Sequence, residues 1–178
     1  DIKNAIPHAV FMAISSFNNA GFTAFSSGSS ISFYQKDVTM ITTTVILILI
    51  GAVSVWVVAD ILAFRNKVFL YSLNSKLVLS GTLILTIVGA LIFFAFEYSN
   101  PSTMSTLSVL DKIMVSVFES VSGRTAGLTT VDYGNTEQHT NFLMIGLMFI
   151  GGASGSVAGG IKINTFAVIC IGIFSTLQ

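Results

Sequence analysis

Two stretches decide how this chain folds: FMAISSFNNAGFTAFSSG at residues 11–28 and VFESVSGRTAGLTTVDYG at residues 117–134. Aligned from their first residues without a gap, they place Ala20-Gly21-Phe22-Thr23 on Ala126-Gly127-Leu128-Thr129. Each follows a short apolar run, residues 8–17 in one case and about 110–121 in the other, and closes on small and polar residues. A helix needs about 20 apolar residues to cross a hydrocarbon layer about 30 Å thick, so runs of roughly a dozen fit re-entrant half-helices. Ser108 is placed to cap the second of these, with Asp111 in its first turn.

Working outward, the surroundings are hydrocarbon-like. Of the 178 residues, 53% are hydrophobic, 9% are charged and 15 are Phe, against about a quarter charged in a soluble domain. The chain lacks the charge to cover a water-facing surface and belongs to the membrane class. Its net charge of zero gives no bulk attraction for nucleic acid. Its single cysteine, Cys170, cannot form an internal disulfide, and no Cys/His cluster has zinc spacing. Residues 40–64 and 77–96 each read as an uninterrupted span. A third apolar region, from residue 141 onward, is cut by GGASGSVAGG at 151–160.

The order is therefore half-helix, loop, span; then span, half-helix, loop, broken span. Residues 1–64 form the second half of one membrane–pore–membrane unit. Residues 65–76 form a connecting loop, and residues 77–178 a complete second unit. The connecting loop carries Arg65, Lys67 and Lys76 without an acid, which places it in the cytoplasm and the two half-helices with their loops on the outer side. The expected fold class is an all-α integral membrane protein of membrane–pore-helix–membrane repeats, with re-entrant loops and one broken transmembrane helix. A charged first residue, no signal-peptide pattern and an apolar end make the chain an internal piece of a longer protein.

A dehydrated alkali cation needs oxygen ligands in place of water, and backbone carbonyls can supply them. Backbone can leave a helix at membrane depth only where protein or a water-filled pore surrounds it. Glycine makes such a turn accessible. The stretches 18–23 and 124–129 fit: each follows a short half-helix and carries one central glycine among small residues. The negative C-terminal ends of both half-helices would face the cation. An ordinary polar interfacial loop is the alternative for either copy alone; two matching copies favour the pore.

The run Gly151, Gly152, Ala153, Ser154, Gly155, Ser156, Val157, Ala158, Gly159 and Gly160 is half glycine. Each glycine weakens a helix by about 1 kcal/mol relative to Ala. Gly155 and Gly160 have the spacing of a phosphate-binding loop, but Ile161 and Lys162 follow where Lys and Ser or Thr are required. Close helix packing through small residues would explain one or two glycines; a flexible segment inside the pore explains the whole run. Glu119, in the second half-helix, needs water or a partner; Arg124 is the nearest candidate, and a structural Glu119–Arg124 role stands beside a direct ion-attracting one. His8, His139 and Trp56 read as interfacial or packed residues, and Asp60 as solvated or paired with Arg65 or Lys67.

FNNAGF at 17–22, SGRTAGLTT at 122–130 and GGASGSVAGGIKINT at 151–165 resemble the Trk/Ktr/HKT potassium transporters, and within them the membrane subunit of bacterial Ktr systems. The resemblance covers essentially the whole chain. It implies four such repeats in the complete protein, of which this chain would hold the pore and second span of repeat two and all of repeat three. Carried over from the resemblance, Asn19, Ala20, Gly21 and Phe22, with Thr125, Ala126, Gly127 and Leu128, become two of four quadrants of the ion-selectivity filter; Gly21 and Gly127 take the place of filter glycines, and Leu128 replaces a more usual Phe. Residues 151–160 become an intramembrane loop that obstructs the pore and moves during gating. The resemblance further implies potassium uptake in the bacterial cell membrane, lipid contacts, a homodimer of membrane subunits and a cytosolic nucleotide-binding regulatory ring. No cofactor is expected beyond the transported K⁺, or Na⁺ in a sodium-selective or Na⁺/K⁺-coupled relative. Enzymatic activity is not expected, since no nucleophile–base pair or metal-ligand cluster is present. A non-transporting structural subunit would leave both loops and the broken helix unexplained.

Overall fold

A computed structural model describes residues 2–25, 30–65 and 67–177, with side chains from residue 5 onward. Among the described residues the chain is helical: α1 (Ile2–Phe17), α2 (Val38–Ala52), α3 (Val55–Phe64), α4 (Leu73–Glu97), α5 (Val109–Ser122), α6 (Gln138–Phe149) and α7 (Ile163–Thr176). Two 3₁₀ turns, Ser32–Tyr34 and Val68–Leu70, and one isolated parallel bridge, Ile150 to Ile161, complete it.

α4 is long and apolar enough to cross a membrane. Ser72 caps its start by accepting from Ser75 N at 3.2 Å, and Asp60 accepts from Ser72 Oγ at 2.6 Å and Ser75 Oγ at 2.5 Å. Asp60 thus serves the start of α4 through the hydroxyls of the adjoining turn, and among the described residues no ion pair joins it to Arg65 or Lys67. The expected half-helix over 110–121 is α5, and Ser108 is its cap, accepting from Asp111 N at 3.2 Å. The other expected half-helix, 8–17, extends back to Ile2.

The expected unbroken span over 40–64 is corrected. α2 and α3 are bent by 98° at residues 53–54. Gly51, in the last turn of α2, lies against the end of α1, where a Cβ would overlap the Phe17 carbonyl. A new helix starts at Ser54, whose side chain accepts from Val57 N at 3.4 Å. The carbonyls freed at the bend are not lost: Ala52 O accepts from Ala153 N at 3.0 Å and Gly51 O from Val157 N at 3.4 Å.

α4 packs against α5, α6, α7 and α3, and α2 packs against α1 and α5. Met12, Ile41, Ile48, Phe118, Val121, Ala126 and Leu128 form one apolar core behind the two glycine loops. Val57, Val78, Ala153 and Ile163 form another beneath the glycine-rich run. The first core is built from α1, α2 and α5 and the second from α3, α4 and α7, so the loops and the glycine-rich run rest on different helices.

Candidate functional site

Both loops leave their helices through backbone hydrogen bonds to the last turn, with different partners in each. After α1, Asn19 N donates to Ser16 O and Ala20 N to Ser15 O at 3.2 and 2.9 Å; after α5, Gly123 N donates to Glu119 O and Ala126 N to Ser122 O at 2.8 and 2.9 Å. The backbone is then left-handed at Asn19 and Gly21 (φ 49° and 73°) and at Thr125 and Gly127 (φ 75° and 76°). Those four positions coincide in the gapless alignment of the two stretches. Gly21 and Gly127 face each other: a Cβ on Gly21 would lie 3.0 Å from Gly127 Cα and 3.0 Å from Ala126 O.

The eight expected site residues divide. Ser15 Oγ donates to Phe22 O at 2.6 Å and accepts from Phe22 N at 3.0 Å, and Ser122 Oγ donates to Leu128 O. Phe22 and Leu128 therefore turn their carbonyls back onto α1 and α5. Among the described residues, no donor satisfies the carbonyls of Asn19, Ala20, Gly21, Thr125, Ala126 or Gly127. These six are therefore the loop oxygens free to meet a ligand or water.

The second loop is braced from behind. Glu119 is fully buried, and its Oε1 accepts from Thr130 N and Thr130 Oγ1, both at 2.6 Å, while Oε2 accepts from Tyr133 Oη at 2.5 Å. Arg124 is not its partner. The two are five residues apart, a spacing that does not share a helix face, and Arg124 Nη2 instead donates to Thr86 Oγ1 of α4 at 3.1 Å. The chain beyond the loop is tied to the first unit: Ile31 N donates to Thr129 O at 3.0 Å, Thr129 N to Ser30 Oγ at 2.8 Å, and Gln35 Nε2 to Thr130 O at 2.5 Å.

The glycine-rich run forms a closed loop between α6 and α7. Gly151 N donates to Ile161 O at 2.9 Å and Ile161 N to Phe149 O at 3.0 Å, which pins its base. Gly155 and Gly160 take φ values of 78° and 70°, accessible to glycine. At Gly151 a Cβ would overlap the Gly159 carbonyl, so the close approach of the loop's two ends also requires glycine. Ser156 Oγ donates to Ala153 O at 2.7 Å, and Lys162 Nζ donates to Ala158 O. Beside that base the loop meets the second glycine loop directly: Gly159 N donates to Thr125 Oγ1 at 3.0 Å.

Sequence reasoning passed over two features. One is the α2–α3 bend, which receives the glycine-rich loop. The other is Glu97, fully buried at the end of α4. It accepts from Asn100 Nδ2 (2.8 Å), Thr103 Oγ1 (2.6 Å), Glu137 N (2.9 Å) and Thr140 Oγ1 (2.5 Å). These bonds tie the end of α4 to the start of α6. The available signal was an acid directly after an apolar span, with threonines nearby to satisfy it.

Comparison with known proteins places this geometry. The fold matches the crystal structure of the potassium transporter TrkH from Vibrio parahaemolyticus with a TM-score of 0.75, at 21% identity, over 92% of this chain and 34% of that one. The sequence is 38% identical to Ktr system potassium uptake protein B of Bacillus subtilis, over 96% of this chain and 38% of the relative. It is 36% identical to the protein of the same name from Vibrio alginolyticus, over 96% and 37%. It is also 36% identical to potassium/sodium uptake protein NtpJ of Enterococcus hirae, over 92% and 35%. The chain thus spans little more than a third of the length of these relatives. A family model described as TrkH, cation transport protein, matches residues 1–177; the chain belongs to that family.

Proposed function

We propose that this chain supplies two of four filter loops and the gating loop of a pore for potassium uptake. The observation that carries this reading is the pair of loops with left-handed backbone at matching positions, meeting at Gly21 and Gly127. Asn19, Ala20 and Gly21, with Thr125, Ala126 and Gly127, offer carbonyl oxygens to K⁺. Phe22 and Leu128 hold the loops onto the half-helices. A filter of carbonyls replaces the ion's hydration shell, and unpaired oxygens on two adjacent loops are half of such a ring. Beside the second loop lies a hollow of about 330 Å³ lined by residues including Thr125, Gly127, Tyr133 and Met148 and by none of the first loop. We assign it to a neighbouring repeat.

The four-repeat architecture, the re-entrant path of α1 and α5, the cytoplasmic place of residues 65–76, a homodimer and a cytosolic nucleotide-binding ring belong to the same proposal. They are supported by the names and lengths of the relatives and by the resemblance. Residues 151–160 act as the gate, because a glycine-rich loop repacks few side chains when it moves.

The test is rubidium flux into proteoliposomes containing the full-length protein. Deleting several residues of 151–160 is expected to raise flux per folded protein, and Gly127→Ser to lower K⁺ preference over Na⁺. Lower flux from a well-folded deletion variant would make the run a packing seam. Unchanged selectivity in Gly127→Ser would remove the filter role. The relative named as a potassium/sodium uptake protein supports a second reading, Na⁺-coupled uptake; in that case rubidium uptake rises with external Na⁺.

A further inference from the structure

We infer that the Thr125 hydroxyl is the link through which the glycine-rich loop sets the shape of the adjacent filter loop, so that ion preference changes with that loop's position. The inference rests on the gate and filter reading above and adds a coupling between the two.

Thr125 holds φ at 75°. A β-branched residue in the left-handed region is a genuine outlier, and such a conformation persists only where its surroundings enforce it. The surroundings here are specific. Thr125 Oγ1 accepts from Gly159 N at 3.0 Å. A Cβ on Gly159 would lie 3.7 Å from both Cβ and Cγ2 of Thr125, so the glycine-rich loop lies along the threonine's flank as well as on its oxygen. Gly159 stands immediately before Gly160, whose left-handed φ turns the chain into the closed base. Gly159 belongs to that base, its carbonyl lying against Gly151; a loop that opens there, parting the two, moves Gly159 away from Thr125 and withdraws the bond.

The first loop has no such tie. At the matching position Asn19 is left-handed at 49°, a conformation that Asn adopts far more readily than Thr. Neither polar atom of the Asn19 side chain has a partner among the described residues. One filter loop therefore keeps its shape by residue type, and the other by a contact that gating would break. Withdrawal of the Gly159 bond lets Thr125 relax, which reorients the peptide joining it to Ala126 and the carbonyl that the peptide carries.

The experiment uses the full-length protein in proteoliposomes, in two backgrounds: intact, and with residues deleted from 151–160. Thr125→Val removes the acceptor and keeps the shape, Thr125→Ala removes the acceptor without β-branching, and Thr125→Ser keeps the acceptor. The readout is the K⁺/Na⁺ preference from competition against rubidium uptake, which a change in flux alone leaves unmoved. In the intact background Thr125→Val and Thr125→Ala are expected to shift that preference by about three- to tenfold, the ratio corresponding to the net worth of one hydrogen bond. Thr125→Ser stays within about twofold of the parent, well inside that ratio. In the deleted background, already shifted, neither Val nor Ala adds a further change. An equal shift in both backgrounds would mean that the hydroxyl acts on the ion without the loop, and no shift in either would mean that it has no part in selectivity; both overturn the link. If Thr125→Val does not fold, Thr125→Ala carries the comparison. A deletion that fails to raise flux sinks the gate reading, a result separate from the Thr125 cycle in the intact and deleted proteins.

Discussion

In the first glycine loop Ala13 and Ala24 stand where the second has Glu119 and Thr130, and Asn18 and Asn19 stand where it has Arg124 and Thr125. The backbone nevertheless takes the same left-handed residues at matching positions. Leu128 is 1% exposed and packs into the core behind α1 and α2, whereas its counterpart Phe22 is 69% exposed. The difference separates two things that a repeat can preserve. The loop path is set by a glycine, by the residue two positions before it and by a serine that returns the next carbonyl to the helix. The bracing is a separate layer, dense in the second loop and sparse in the first. The braced loop is also the one that touches the glycine-rich run.

Removing Glu119 strikes the brace and is expected to have the largest effect. Glu119→Ala leaves Thr130 N and the hydroxyls of Thr130 and Tyr133 without their acceptor. Losing hydrogen bonds to a charged group and leaving buried donors unpaired costs about 3–5 kcal/mol in total. Glu119→Gln keeps one oxygen for Thr130 and should cost about 1–2 kcal/mol. Thermal unfolding of the purified full-length protein in detergent measures both. The matching change in the first loop, Ala13→Ser, is expected to cost well under about 1 kcal/mol, the ordinary range for a position outside a buried network. Equal losses at positions 13 and 119 would break the distinction between the loops.

How much of this was legible in the sequence follows from the same two layers. The loop paths were legible because they depend on Gly21 and Gly127 within a repeated pattern, and α5 because its cap and length are local signals. The α2–α3 bend was not. Residues 40–64 contain no proline, and the bend goes with the crossing of α1 against Gly51 and with the exchange of hydrogen bonds with residues 153 and 157, both contacts distant in sequence. The partner of Glu119 was misread because nearness in sequence pointed to Arg124, while the chain folds back to bring Thr130 and Tyr133 beneath the carboxylate. Glu97 was passed over for the same reason: Glu137 N and Thr140, on which it closes, lie some forty residues ahead.

The contact between the glycines gives a sharper, intermediate test. Either glycine replaced by alanine puts an L-residue in the left-handed region, a cost of about 1–2 kcal/mol. The neighbours differ. A Cβ on Gly21 would meet Ala126 O at 3.0 Å, a candidate ion ligand on the other loop; a Cβ on Gly127 would meet Gly21 Cα at 3.1 Å and Gly21 N at 3.9 Å. Gly21→Ala is therefore expected to lower K⁺ preference over Na⁺ by roughly tenfold and Gly127→Ala by roughly threefold, corresponding to about 1.4 and 0.7 kcal/mol. The larger selectivity loss thus comes from the less braced loop, by way of the carbonyl it confronts. Rubidium uptake competed with each cation gives the ratio, and the reverse order would show that bracing, not the carbonyl contact, governs selectivity.

The smallest expected effect is at Asn19, where two terms oppose each other. Asn tolerates the left-handed region and Ala does not, which makes Asn19→Ala unfavourable by about 1 kcal/mol. Against this, the amide of Asn19 is enclosed with both polar atoms unpaired among the described residues, and removing an unsatisfied buried polar group returns about 1 kcal/mol or more. The net change in stability should fall within about 0.5 kcal/mol of zero, the range of substitutions that break nothing. Asn19→Gly keeps access to the left-handed region and also removes the amide, so it should be at least as stable as Asn19→Ala. Thermal unfolding of the full-length protein measures both. A loss above about 2 kcal/mol in both variants would mean that the amide is bonded in the complete pore, as expected of a buried donor or acceptor deprived of its partner. The first loop would then be braced from another repeat, and the contrast with Thr125 would lie in where each loop's support comes from, not in how much it has.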